Sequence, residues 1–322
     1  MRATQDSAVV KQLLGSSDPA IRYLARVQAL GESPTRWGAA RERAEIPASS
    51  PVVATLLSEM RDEDGLIPRG TYDKWLGGHW VLAFLSEIGY PPGDERLRPL
   101  ADRSAQWALG ISGTLINGRW RRCASQQSYA LLYLMKLGFY DERCDRLADK
   151  LIDWQWPDGG WNCDKHPEAS HSSFHESLLP MRALFHYANV TGRADAKRAA
   201  KRVASFFLER KLMRRKSDGE IITPKFLEIH HPYHWRYNIL HALKAMAEAD
   251  LIGDRRCREA IGVLKAKQLD DGGFPCEKRD YAVGTRTTKA KSLVDWGPVS
   301  VRRMNPWVTL DALYVLRAAN RA

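Results

Sequence analysis

Along this chain apolar residues recur at three- and four-residue spacing, and helical stretches of two kinds alternate. One kind is apolar nearly all round and begins just after aromatic or histidine residues: 80–88, 128–137, 175–189, 235–249 and 307–319. The other is charged and amphipathic: 95–109, 142–155, 193–210 and 255–268. Short Gly-containing turns join the first kind to the second, and Asp94, Asp141 and Asp254 stand where N-caps are needed. Asp18-Pro19 marks another helix start, with Pro at the first helical position. Strand patterns are nearly absent, and Ile221-Ile222-Thr223-Pro224 reads as extended loop because it ends in Pro. An apolar helix paired with an amphipathic one implies an inner and an outer layer. The pattern predicts an all-α chain: an α/α toroid over residues 51–322, with an N-terminal helical cap at 1–50. The period alone also fits an open solenoid.

The amphipathic helices end in glycine loops, and two of these loops match closely. Gln155-Trp156-Pro157-Asp158-Gly159-Gly160-Trp161 is repeated as Gln268-Leu269-Asp270-Asp271-Gly272-Gly273-Phe274. Cys163-Asp164 follows the first copy and Cys276-Glu277 the second. Asp64-Gly65 and Asp218-Gly219 are degenerate copies, with Arg61 and Arg215 in the Gln position. Repetition of this kind marks units that must stack to bury their apolar faces. The motif aromatics are expected to pack the loops while Gln155 and Gln268 tie helix ends.

Charge and cysteine content narrow the picture only a little. The net charge is +11, but the basic residues are spread over many helices, so no continuous track for a nucleic acid is expected. The one dense patch is 210–216, and the surplus charge leaves peripheral association with an anionic membrane open. The sequence does not set an oligomeric state. Five cysteines and no apolar signal-peptide core point to reduced thiols and a cytoplasmic location. Cys144 and Cys257 take matching places at helix starts and read as small core residues.

The repeated motif resembles that of squalene and oxidosqualene cyclases, shared more loosely with protein prenyltransferase β subunits. The segments Lys74-Trp75-Leu76-Gly77-Gly78-His79-Trp80, Ser172-Ser173-Phe174-His175-Glu176 and His234-Trp235-Arg236-Tyr237-Asn238 resemble a prenyltransferase-like bacterial branch of that superfamily. The resemblance implies an α/α toroid and an isoprenoid or other apolar substrate in a central cavity. The departures are as informative. No Asp-x-Asp-Asp acid of class II cyclases and no Asp-Asp-x-x-Asp occurs. The Asp-x-Cys zinc element of prenyltransferases has Gly297 at its cysteine, in Asp295-Trp296-Gly297. Fold alone does not carry the function across such gaps.

Candidate chemistry is therefore placed at the mouth where inner helices begin. His175 and Glu176, with His171 four residues before His175, are acid/base candidates. A histidine beside a carboxylate titrates near neutrality. Pro180, inside the same predicted helix, is expected to bend or break it. Trp75, His79, Trp80, Gln127, Phe174, His234, Trp235, Tyr237 and Trp307 are substrate-binding candidates, their aromatic faces suited to an apolar or cationic group. The expected partner is an apolar or amphiphilic small molecule. No cofactor is predicted. Cys163, His166, His171 and His175 have the right chemistry for zinc, but their spacing fits no zinc motif. Cys276 repeats Cys163 without a nearby histidine, which makes Cys163 look like a structural echo. Besides a terpene-cyclase-like enzyme, the alternatives are a zinc-dependent prenyltransferase-like enzyme and a non-catalytic lipid- or partner-binding toroid.

Overall fold

The computed structural model describes residues 7–283 and 290–321. Its helices are α1 Ala8–Leu14, α2 Pro19–Leu24, α3 Trp37–Ser49, α4 Pro51–Leu56, α5 Gly78–Glu87, α6 Arg98–Gly110 and α7 Ala124–Lys136. They continue with α8 Glu142–Asp153, α9 Phe174–Thr191, α10 Ala194–Leu208, α11 Ile239–Glu248, α12 Arg258–Lys265 and α13 Pro306–Ala319. Two short antiparallel pairs interrupt this pattern: β1 Thr114–Ile116 with β2 Arg119–Arg121, and β3 Pro275–Cys276 with β4 Ser300–Met304. Both lie in the loops that lead into inner helices.

The helices form an α/α toroid. The apolar helices α5, α7, α9, α11 and α13 pack side by side in chain order, each followed or flanked by an outer partner. The ring closes through the N-terminal helices. The α2 segment, continued by a π-helical turn at Ala25–Leu30, packs on α13, and α1 packs on that turn. On the other side Arg43 of α3 donates to the carbonyls of Gly89 and Tyr90, at the end of α5. The helices at 1–50 thus share one hydrophobic cluster that runs from Val9 to Val315.

The motif loops explain how the layers are joined. Trp161 N–H donates to Ser177 Oγ at 3.0 Å, and Phe274 N–H donates to Thr309 Oγ1 at 2.8 Å. Ser177 and Thr309 are both the fourth residue of an inner helix, α9 and α13. Gln155 donates to the Gly159 and Ala199 carbonyls, the latter on α10; Gln268 donates to the Gly272 carbonyl. Gly159 has φ 97°, and a Cβ there would meet the Arg202 carbonyl of α10 at 2.7 Å. Gly272, at φ 84°, faces Val9 of α1 more loosely, where a Cβ would lie 3.4 Å from the valine side chain. The first helix of the chain therefore takes the outer position that follows the last helix.

Local chemistry fixes most boundaries. Asp18, Asp94, Asp141 and Asp254 each accept a backbone N–H two residues on, as N-caps do. Helix α11 begins at Ile239, later than the apolar pattern indicates, because Asn238 caps it and His234 sits at φ 49°. Helix α9 runs unbroken through Pro180, contrary to expectation. Pro180 is buried, in a helix that packs against both α7 and α10, and such packing can offset the lost hydrogen bond. Cys144 and Cys257 are buried, and burial pushes their thiols up to about 11 and about 12. In the basic patch, Arg214 and Lys211 pair with Glu259, Lys216 with Glu209 and Arg215 with Asp218. No helix is long and apolar enough to cross a membrane, among the described residues.

Candidate functional site at the mouth of the ring

The N-terminal ends of the inner helices converge as expected, but the space between them is filled. The segment preceding α11 crosses the mouth. It brings His234 flat onto Trp75, with ring centroids 3.5 Å apart, and His231 onto Trp307 at 5.5 Å. Trp80 meets Trp75 edge-on at 4.4 Å, and Trp296 closes against Trp307. His79 lies among Tyr72, Trp107, Tyr129 and Tyr133. Trp75, His79, Trp80, His234 and Trp307 are thus gathered into one aromatic plug, all of them buried. His79, His231 and His234 keep both ring nitrogens without a hydrogen-bond partner among the described residues. Burial pushes all three imidazoles down, His79 to about 3, so they are neutral. A cavity beside the plug, lined by Phe84, Glu87, Tyr129, His231 and Trp296, has a volume of only about 10 Å³.

Other candidates lie elsewhere. Phe174 and Tyr237 belong to a core cluster with Phe206, Phe207 and Phe226, and the Tyr237 hydroxyl donates to the Leu212 carbonyl. Gln127 is one turn into α7, which turns it toward α6, and its amide donates to the Ala108 carbonyl at 3.0 Å. His171 is exposed in the loop before α9: the helix begins at Phe174, too late for His171 and His175 to share a face. Trp235 is at the rim, beside Lys74 and Arg236.

His175 and Glu176 point apart. His175 Nδ1 accepts from the Tyr237 N–H at 2.9 Å, and its ring abuts Phe226 and Trp235. Burial pushes this imidazole down to about 4, not toward neutrality, because the expected carboxylate neighbour faces away. Glu176 instead reaches the start of α7. Its Oε2 accepts from Ser125 N–H at 3.0 Å, and its Oε1 lies 3.8 Å from Cys163 Sγ. Cys123, the N-cap residue of α7, completes a group whose donor atoms all lie within 4.8 Å of one another. Burial raises the Glu176 carboxyl above the usual range. A hydrogen bond from Cys163 lowers the Cys123 thiol, and the same bond raises that of Cys163. Arg122 bonds Gln126 at 2.6 Å beside this group, and the half-buried phenol of Tyr72, pushed up to about 12 chiefly by desolvation, adjoins it. The sequence offered Glu176 and Cys163 but not Cys123, which is distant in the chain.

Further along the inner helices the axis of the ring is charged. Arg182 on α9 bonds Glu248 through Nε at 2.7 Å and Glu87 at 3.1 Å. Lys244 bonds Asp311 at 2.7 Å and Glu87 at 3.4 Å, and Lys136 bonds Glu87 at 3.4 Å. The Asp311 carboxylate also accepts from the Tyr233 hydroxyl at 2.6 Å. Burial alone would raise the Glu87 carboxyl, but Arg182, Lys136 and Lys244 together hold it well below the usual range. The central apolar cavity expected from the sequence is replaced here by ion pairs. A pit of about 240 Å³, lined by Lys136, Arg182, His186, Glu248 and Tyr314 among others, opens onto them.

No family model matches the chain, and no curated protein matches it. Solved structures offer distant likenesses, each of them an α/α toroid. A family 76 glycoside hydrolase from a bovine Bacteroides thetaiotaomicron strain is 10% identical, with 98% of this chain and 70% of that chain covered and a TM-score of 0.46. Unsaturated glucuronyl hydrolase from Bacillus sp. GL1 is 16% identical, with 93% and 84% covered and a TM-score of 0.45. Type II terpene cyclase MstE from Scytonema is 15% identical, with 84% and 96% covered and a TM-score of 0.32. Likenesses this weak say nothing about the reaction.

Proposed function

We propose that this protein is an enzyme that acts on an apolar or amphiphilic small molecule, of the isoprenoid class, at the mouth of the toroid. The observation that carries this reading is the convergence of buried Glu176 with Cys123 and Cys163 where α7 and α9 begin. Burial raises the Glu176 carboxyl, so it keeps its proton to higher pH than an exposed carboxyl does, and a general acid must hold the proton it delivers. Tyr72 and Trp107, stacked at 5.3 Å, supply an aromatic wall close by, and Arg122 supplies a cation for an anionic head group. The isoprenoid class rests on the resemblance of the repeated motif. The ion pairs on the axis and the aromatic plug leave no room for a buried chain, which favours a substrate lying over the outside of the mouth beside Glu176.

The test is incubation of the protein with polyprenyl diphosphates and polyprenyl arenes, followed by mass spectrometry. Glu176→Gln should cut any conversion by about 10²–10⁴-fold while the fold is retained. Unchanged conversion in that variant would remove Glu176 from the chemistry. A second reading, a non-catalytic binding toroid, is favoured by the filled axis. It becomes the better one if polyprenyl ligands neither react nor raise the melting temperature.

A further inference from the structure

The two full motif copies are built alike, so a difference between them marks what one copy does beyond folding. Two residues after the motif aromatic stand Cys163 and Cys276. The third residue of the following inner helix is Glu176 in one copy and Val308 in the other. The N-cap of the preceding inner helix is Cys123 in one case and Asn238 in the other. Cys276 is buried, and its thiol donates to the Lys278 carbonyl at 3.1 Å. Cys163 is half-buried and faces Glu176 and Cys123. The first copy has thus gathered two thiols and a carboxyl where the second has packing groups.

We propose that Cys123, Cys163 and Glu176 bind a zinc ion through two thiolates and one carboxylate oxygen, with one coordination position open. Zinc–sulfur bonds of about 2.3 Å and zinc–oxygen bonds of about 2.0–2.2 Å put tetrahedral ligand atoms roughly 3.5–3.8 Å apart. Cys163 Sγ and Glu176 Oε1 are 3.8 Å apart, and no pair in the group exceeds 4.8 Å, a gap that side-chain rotation closes. Glu176 is 6% exposed, and its Oε2 is held by the Ser125 N–H. That leaves Oε1 to act as a monodentate ligand with its orientation already set. Thiolates select zinc over magnesium or calcium. On binding, the ion displaces the two thiol protons and the Glu176 proton to solvent. The loaded site then carries one net negative charge, next to Arg122. Three protein ligands and an open position are the pattern of catalytic zinc rather than structural zinc.

The functional meaning of this site rests on the mouth reading above, with Glu176 a ligand rather than the proton donor whenever zinc is bound, but its test needs no activity. Protein purified without chelators should hold about one zinc per chain by elemental mass spectrometry. Cys123→Ser and Cys163→Ser should each lose it, Glu176→Gln should bind it more weakly by at least the roughly 10–100-fold that losing a hydrogen-bonded partner of a ligand costs, and Cys276→Ser should keep it. Cobalt added to metal-free protein should give a thiolate-to-cobalt charge-transfer band that is absent in Cys163→Ser. The inference is overturned if folded wild-type protein takes up neither metal. It also falls if Cys163→Ser retains full zinc, or if peptide mapping finds Cys123 and Cys163 joined as a disulfide. Conversion lost in Glu176→Gln without any metal would sink the zinc site and leave the mouth reading standing. Zinc bound with no ligand or conversion would do the reverse.

Discussion

The mouth and the axis of the ring bury polar groups in opposite ways. On the axis the groups are charged and paired: Glu87, Arg182, Glu248, Lys244 and Asp311 form one connected network across four inner helices. At the mouth they are neutral: His79, His231 and His234 sit among aromatic rings, and burial is the main cause that holds their imidazoles down. A charge pulled out of water needs a counter-charge, whereas an imidazole can shed its proton. The axis is therefore committed to one geometry, and the mouth is sensitive to its surroundings.

The harshest way to break this contrast is to remove one partner from the axis. Arg182→Ala leaves Glu87 and Glu248 without their central cation and should cost about 3–5 kcal/mol, read as a lowered urea midpoint. A loss well under that would mean that water reaches the axis and screens it.

Acid should break the mouth next. The folded imidazoles are depressed, so the unfolded chain binds protons near the ordinary value of 6.5 while the folded chain does not. Stability is complete above that value and falls as pH drops through it. At pH 5 His79 alone, held down to about 3 in the fold, should cost about 2 kcal/mol, and His231 and His234 add to the loss in the same direction. Urea melts at pH 7.5, 6 and 5 measure the slope; a flat profile would show that these side chains are already hydrated.

The smallest effect separates the two regions most sharply. His79→Phe removes two unpartnered nitrogens and keeps the ring-shaped filler. It should change stability by less than about 1 kcal/mol at pH 7.5 and should reduce the loss on acidification. A large loss at pH 7.5 would reveal a bound group at His79.

The fold was legible because its signals are local. Alternating helix types, caps such as Asp141 and the paired Gly-Gly loops all lie within a few residues of the structure they determine. The candidate site was half legible. Glu176 stood out as a carboxylate at an inner-helix start, but its partner was sought next to it in sequence, in His175. The partners that it reaches, Cys123 and Cys163, are brought over by α7 and by the loop after the first motif, and no short spacing encodes that meeting. Cys163 was set aside because Cys276 repeats it, although Val308 in place of Glu176 shows that the two have diverged. The axis was illegible for a related reason. Glu87, Arg182, Lys244 and Asp311 are scattered charges, each on a different, largely apolar helix, and only ring closure makes them neighbours.

The closure itself has a consequence for connectivity. Because α1 stands where the outer helix after α13 belongs, the packing runs on across the seam between α13 and α1, where the covalent order of the helices does not. Ser7 and Asn320 line the same groove of about 400 Å³. The order in which the hairpins are strung is thus separable from the ring they make. A permuted gene that links Asn320 to Ser7 through a flexible linker and opens the exposed Asn117-Gly118 turn would describe the same architecture.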